Sequence, residues 1–491
     1  MDQLSPQDAQ FLYMETEDNH IQVTAVAIFD PSTVPGGKVV RFKEILAHIE
    51  SRLHMSPLFK RRLDRVPLEL DFPYWVDDEH FDLEYHVQHS RLPKPGDWRQ
   101  LCIQLSRFHA RPLDKTRPLW EMLVIEGLDH VEGLPAGCYA LATKLHHAAV
   151  DGASILNFFR SLVDIDNKGT PAVPLDIVEA THSPQPGLFD IARRAVWNTV
   201  RSPIGLADAT MRSAPALYRW AQDALSSQHE VSDPVPDTRF NSTASPHKMF
   251  DATSFELDDL KAIRKAIPGS TVNDVVLCIC GGALRKYLQH HNELPDESLV
   301  AWVPINARPD LTEEAGNPGN RVASMTTKIF TDIENPRDRL RHIHMATRKS
   351  KEAKAGVSAR LMTDLSQHVP AATLVTAGRL VLRAGMAANV CNLFVSNVPG
   401  PQIPMYMNGA KTVATYGIAP LVDGMGLFIA TPSYNGKITF NVTSTRETLP
   451  DVHFFVECLE KSLADLKKAT LKKTPRKKAA RGKKPQASAV K

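Results

Sequence analysis

Hydrophobic and polar positions along this chain switch between two periods, and each switch marks an element. "SPQDAQFLYMET" (5–16) predicts a capped helix, with Ser5 as N-cap and Pro6 at the first helical position. "HIQVTAVAIF" (20–29) is β-rich, and "RFKEILAHIESRLH" (41–54) has helical apolar spacing. "GCYALATKLHH" (137–147) predicts a strand of small residues, and "GASILNFFRSLVDI" (152–165) an amphipathic helix. Two histidines thus fall in a strand-to-helix connection, where a rigid scaffold presents functional side chains.

The pattern then breaks. Residues 166–187 are rich in Pro and polar residues and predict a linker. Residues 188–225 are amphipathic and helical, interrupted by Pro203 and Pro215, and 226–248 predict a second linker. Regular periods return with strand "KMFDATSFEL" (248–257), helix "LDDLKAIRKAI" (257–267) and the long apolar helix "STVNDVVLCICGGALRKYLQHH" (270–291). Strand "SLVAWVPINAR" (298–308) follows, and later a hairpin, "GLFIATPSYNGKITFNVTST" (426–445), with an Asn-Gly turn. The two halves share a loose order of strands and helices without a residue-level repeat. The expectation is an α/β protein of two subdomains, 1–165 and 247–466, joined by 166–246, with a site between them.

Composition narrows the class. With 491 residues, 43% hydrophobic and 23% charged, the chain can bury a large core. No apolar run reaches the roughly 20 residues of a membrane span, and the acidic N-terminus lacks a signal pattern, so a cytoplasmic protein is expected. Six scattered cysteines, with no CxxC pair and mostly apolar neighbours, predict buried reduced thiols. The net charge of +3 conceals an asymmetry: residues 467–491 hold eleven Lys or Arg and no acid. That tail, without apolar periodicity, is expected to be a disordered basic arm on an acidic body.

The chemistry concentrates in "TKLHHAAVDGASIL" (143–156). Three readings are open for His146, His147, Asp151 and Gly152: core-edge histidines before an Asp-Gly turn, metal ligands, or a base with supporting groups. Adjacent residues of a strand point to opposite faces, which disfavours one metal between both rings and favours one ring facing a site. Histidine suits general-base work because it titrates near neutrality. No G-x-S-x-G elbow, P-loop or G-x-G-x-x-G occurs, so a serine esterase, a nucleotide hydrolase and a Rossmann dehydrogenase are disfavoured. A histidine base without an evident protein nucleophile fits direct attack by a substrate hydroxyl or amine.

The spacing HHxxxDG resembles the motif of the coenzyme A-dependent acyltransferase superfamily, which includes chloramphenicol acetyltransferase and peptide-synthetase condensation domains. "LSPQDAQFL" (4–12), "RPLW" (117–120), "ND" (273–274) and "SNVPGP" (396–401) occur in the order found in bacterial wax ester synthase/diacylglycerol acyltransferases. The resemblance covers about residues 4–466. It implies a two-subdomain, chloramphenicol acetyltransferase-like α/β fold with the active-site channel between the subdomains. It implies long-chain acyl transfer from acyl-CoA to diacylglycerol or a long-chain alcohol, with His147 as base and no cofactor or metal. Beside it, His146 would support, Asp151 would hold the loop through an arginine ion pair, and Gly152 would permit a tight turn. Asn273 becomes a candidate oxyanion donor.

Plainer roles stand beside these. Trp120 of Pro118-Leu119-Trp120 reads as a core anchor, Asp274 as the partner of Thr271 in a helix capping box, and Arg308 as an ion-pair partner. Ser396, Asn397, Pro399 and Gly400 read as a rigid turn, or as part of the channel or the contact between subdomains. Near residue 20 better-known relatives read close to "MHVGG", whereas this chain has "HIQVTA", so acyl and acceptor preference do not carry over. A condensation-type enzyme, an inactive lipid-binding protein and a glycerolipid acyltransferase of the H-x-x-x-x-D type, matched literally by His146 and Asp151, are the alternatives. Insoluble products imply contact with the inner face of a membrane or with lipid droplets. Candidates for that contact are 187–225, with Trp197, Tyr218 and Trp220 beside Arg193, Arg194 and Arg219, and the basic tail. No specific nucleic acid is expected.

Overall fold

A computed structural model describes residues 2–37, 40–66, 71–149, 154–168, 235–306, 322–354 and 390–471. Asp151, Gly152, Arg308, the 187–225 segment and the tail beyond Leu471 lie outside the described residues.

Among the described residues the fold rests on two six-stranded sheets. The strands in chain order are β1 (Asp2–Gln3), β2 (Gln22–Asp30), β3 (Arg61–Asp64), β4 (Tyr74–Asp77), β5 (Val87–Arg91), β6 (Trp120–Leu128) and β7 (Cys138–His146), then β8 (Lys248–Glu256), β9 (Val300–Asn306), β10 (Val322–Lys328), β11 (Leu393–Pro399), β12 (Tyr406–Met407), β13 (Ala410–Ile418), β14 (Leu427–Tyr434) and β15 (Lys437–Thr445). The first sheet has the order β12-β13-β2-β7-β6-β5 and the second β10-β9-β11-β14-β15-β8. A small third sheet pairs β1, β4 and β3. The helices used below are α1 (Pro6–Tyr13), α2 (Phe42–Glu50), α3 (Leu83–His86), α4 (Trp98–Ala110), α5 (Ser154–Leu162), α6 (Leu257–Arg264), α7 (Val272–His290), α8 (Pro336–Lys354) and α9 (Val452–Thr470).

Local sequence explains the termini of these elements. Ser5 accepts from the Asp8 backbone N–H at 3.1 Å, and Pro6 occupies the first turn of α1, where its missing N–H costs nothing. Thr271 and Asp274 form a reciprocal capping box on α7. Asn435 and Gly436 both take positive φ, 45° and 83°, in the β14–β15 turn. The helix expected over 41–54 stops at Glu50, and short 3₁₀ turns continue the chain.

Strand β7 lies between β2 and β6 and is buried along its whole length. On one face Tyr139, Leu141 and Leu145 join a core with Ile45 and Ile49 of α2 and Phe158 and Leu162 of α5. On the other, Cys138, Ala140 and Ala142 meet Leu101, Leu105 and Phe108 of α4. In the second sheet, Leu393, Val395, Leu427 and Ile429 pack against α7 and α9 in the largest core. All six cysteines are free and buried, as expected.

The sheets do not follow the expected division of the chain. Strands β12 and β13, far into the second half, complete the first sheet: β13 pairs antiparallel with β2. The connection runs from the end of β11, so the SNVPGP turn stands where the chain passes from one sheet to the other. Helix α9 also continues to Thr470, past the expected start of the tail at 467.

Candidate active site

The histidine pair is held by backbone bonds from both neighbouring strands. The His146 N–H donates to the Leu119 carbonyl at 3.0 Å, and the His147 N–H to the Ile21 carbonyl at 2.9 Å. His146 is the last residue of β7. His147 opens a 3₁₀ turn, so strand alternation ends between the two rings.

The rings have opposite surroundings. His146 is 1% exposed. Its Nδ1 accepts from the Ala148 N–H at 3.0 Å, and its Nε2 donates to Glu15 Oε1 at 3.0 Å. Both nitrogens are engaged, which leaves no lone pair for a metal. Glu15 also accepts from the Ile21 N–H at 3.0 Å and forms an ion pair with Lys115. Burial raises the Glu15 pKa, but the hydrogen bonds of His146 and Lys115 and the electrostatic attraction of the groups around it outweigh it and hold the carboxyl at about 2.

His147 bonds to no other described side chain, and its Nδ1 is buried without a partner. The Phe11 ring packs on it at 4.0 Å between centroids. Burial drives its pKa down to about 4, against a smaller opposing effect of its own carbonyl. The ring is therefore neutral at physiological pH.

Buried polar groups beneath β2 and β7 fix this arrangement. Lys144 is fully buried; its Nζ donates to the Phe108 and Arg111 carbonyls at 3.1 and 3.0 Å and pairs with Glu121 at 2.9 Å. Gln22 donates to the Arg111 carbonyl at 2.8 Å and also to that of His109. These side chains satisfy the free carbonyls at the C-terminal end of α4. In the "HIQVTA" stretch, Gln22 and Thr24 thus turn to α4, and Ile21 lies beside His147.

The other motif residues spread over the molecule. Trp120 is 1% exposed; its Nε1 donates to the Phe59 carbonyl at 3.1 Å and its indole stacks on His86 of α3 at 4.5 Å. Leu119 packs with Ala148 and Ala149, beneath the histidine turn, and the Pro118 carbonyl receives the Trp120 N–H at 2.8 Å. Asp274 caps α7 and accepts from Thr347 Oγ1 at 2.8 Å and from His344 Nδ1 at 3.2 Å, tying α7 to α8. Asn273 is half-buried in the same first turn. Ser396 and Asn397 are half-buried on β11, and Pro399 is exposed at its end. Gly400 N donates to Ser433 Oγ at 3.3 Å, and a Cβ there would lie 2.1 Å from the Ser433 carbonyl. Only glycine permits that approach. A cavity of about 620 Å³ between α7, α8 and α9 is lined by none of the motif residues. Glu15 was missed by sequence reasoning; its signal was an acid just past α1 in an otherwise readable motif.

Residues 4–276 match the wax ester synthase/diacylglycerol acyltransferase catalytic domain, and 318–467 the WS/DGAT C-terminal domain. The chain belongs to the wax ester synthase/diacylglycerol acyltransferase family. A Mycobacterium tuberculosis protein assigned as a diacylglycerol O-acyltransferase is 34% identical over 95% of this chain and 99% of its own. The O-acyltransferase WSD of Acinetobacter baylyi is 29% identical over 94% and 96%. Among solved structures, the wax ester synthase/diacylglycerol acyltransferase of Marinobacter aquaeolei VT8 superposes with a TM-score of 0.65 at 27% identity, covering 95% of this chain and 99% of that one. The first condensation domain of the calcium-dependent antibiotic synthetase, at 13% identity and a TM-score of 0.54, shares the fold.

Proposed function

We propose that the protein is an acyl-CoA-dependent O-acyltransferase in which His147 takes the proton from the acceptor hydroxyl as its oxygen attacks the thioester carbonyl. The observation that carries this reading is a neutral imidazole bonded to no other described side chain, beside a histidine whose two nitrogens are both bound. The acceptor oxygen forms the new C–O bond, the C–S bond breaks, and the leaving thiolate recovers the proton from the His147 ring. A base of this kind contributes roughly 10²–10⁴-fold; holding both reactants together and stabilising the oxyanion supply the remainder. The step calls on no cofactor beyond acyl-CoA as substrate. Glu15 and His146 are positioning residues: they fix the turn from which His147 projects. Asn273 is the proposed oxyanion donor, and Asp274 keeps its turn in place.

Family membership supports diacylglycerol and long-chain alcohols as acceptors. Such acceptors and their products favour work at a membrane or lipid-droplet surface, and among the described residues no helix is long and apolar enough to cross a membrane. The test uses labelled palmitoyl-CoA with hexadecanol and diacylglycerol in competition, for wild type and His147→Ala. Labelled ester and thiol release are expected from the wild type, and a folded His147→Ala protein should lose at least roughly 100-fold. A folded variant retaining near-wild-type transfer overturns the role of His147. A wild type with neither ester nor thiol overturns the reaction.

A further inference from the structure

One short connection holds both histidines. Between α1 and β2, Glu15 binds His146 Nε2 at 3.0 Å, and the Ile21 carbonyl accepts from the His147 N–H at 2.9 Å. Glu15 also accepts from the Ile21 N–H at 3.0 Å, which ties the two contacts together. Between them the chain closes a turn. The Thr16 N–H donates to the Asn19 carbonyl at 3.0 Å, and the Asn19 N–H to Thr16 Oγ1 at 3.1 Å. A displacement of Asn19 is therefore passed through a few residues to both histidine contacts.

Asn19 is 2% exposed, and each described partner of its side chain lies at least 225 residues further along the chain. Its Nδ2 donates to the Ala244 carbonyl at 2.8 Å and to Asp423 Oδ1 at 3.0 Å, and its Oδ1 accepts from Lys248 Nζ. The partners are themselves fixed: Asp423 Oδ1 accepts from the Ala244 N–H at 3.1 Å, and Lys248 Nζ donates to the Ser245 carbonyl at 2.7 Å. Lys248 opens β8 of the second sheet, and Asp423 lies between β13 of the first sheet and β14 of the second. A carbonyl and a carboxylate need two donors, and an ammonium needs an acceptor; a carboxamide supplies all three. These partners also decide which way the amide points. Next to Asp423, Val422 shares one apolar cluster with Ile21.

We propose that Asn19, clasped by Asp423 and Lys248, is a positioning residue of the reaction: through the α1–β2 connection, the start of the second sheet and the crossing between the sheets set where the His147 ring stands. This rests on the acyltransferase reading above. Among the described residues Asn19 bonds to neither histidine, so it acts through Glu15 and Ile21. Opening the clasp misaims the base, and a misplacement of about 1 Å can cost roughly 10²-fold in rate.

Exchanging donor and acceptor tests the clasp. Asn19→Asp sets a carboxylate against the Asp423 carboxylate and the Ala244 carbonyl. Adding Asp423→Asn restores a donor–acceptor pair, now with Lys248 facing a carboxylate. The full chain is assayed with palmitoyl-CoA and hexadecanol, at a temperature where near-UV circular dichroism shows each variant folded. Asn19→Asp should lower kcat at least roughly tenfold, with both KM values within about twofold. The double exchange should bring kcat back to within roughly threefold of wild type. A purely structural contact would lower Tm and leave the kcat of the folded protein unchanged. Asn19→Ser, which removes the amide without adding charge, carries the test should Asn19→Asp not fold; it too should lower kcat and spare KM. An unchanged kcat in either folded variant, a loss confined to KM, or a loss that the exchange does not reverse overturns the clasp. Absence of transfer by the wild type strikes the acyltransferase reading instead.

Discussion

The two sheets bury their central strands by different means. Both faces of β7 carry apolar cores, and at its His146 end an ionic and amide network is added: Lys144 with Glu121, Gln22 with the end of α4, and Glu15 with His146 and Lys115. Beneath β11 and β14 lies plain hydrocarbon, closed by α7 and α9. Apolar packing is adaptable and non-directional. A charged network has defined partners and directions, and it leaves large penalties when one member is lost. The directional material lies at the end of the first sheet that carries the histidine pair; the adaptable material fills the core of the second.

The comparison can be broken most severely at Lys144. Lys144→Met leaves Glu121 and the α4 carbonyls buried without a partner and should cost about 3–5 kcal/mol in chemical denaturation. An equal cost for Leu427→Met, a near-isosteric change in the apolar core expected to stay below about 1.5 kcal/mol, would erase the contrast. Glu15→Gln keeps the shape and removes the charge that orients His146. It should lower kcat by roughly 10–100-fold, short of the 10²–10⁴ expected for the base itself, with KM changed little. A change in KM alone would move Glu15 from positioning to binding. At the crossing between the sheets, Gly400→Ala meets the Ser433 carbonyl and should cost about 1–3 kcal/mol in stability. The last expected effect concerns pH. Burial holds the folded His147 pKa at about 4, below its usual 6.5, so the unfolded chain binds more protons between those values and stability falls as pH drops through that window. Glu15, held at about 2 against a raising effect of burial, adds a loss from about pH 4.5 downward. In Tm measured against pH, His147→Gln should lessen the slope in the upper window, to which His109, His86, His48 and His20 also contribute, and spare the lower one.

How much of this was legible in the sequence follows the same division. Periodicity, caps and the Asn-Gly turn are local, and α1, β2, β7, α5, β8, α7, β9 and the β14–β15 hairpin could be read from them. The capping role of Asp274 and the anchoring of Trp120 were equally local in their signals. Strand β13 was not readable as a member of the first sheet, because its partner β2 lies several hundred residues earlier and nothing in "AKTVATYGI" names it. Lys144 in a strand invites an exposed reading; only the end of α4, packed beneath, gives its ammonium partners. Glu15 reaches His146 across a separation of 131 residues, and its role is invisible until α1 and β7 are side by side. The division of the histidine pair into a bound ring and an open ring came from alternation, although a 3₁₀ turn, not a strand, carries the second ring.

The crossing strands also set an order of events during synthesis. Strand β2 must wait for β13, and the first sheet keeps an open edge until residue 418 has left the ribosome. At roughly 5–20 residues per second, that is a delay of about 15–55 s after β7 emerges. Nascent chains of this protein therefore spend much of their translation with an unpaired strand edge next to the future histidine turn. An expression host with ample trigger-type chaperones, or slower growth at low temperature, should raise the yield of folded enzyme more than any change to the mature surface.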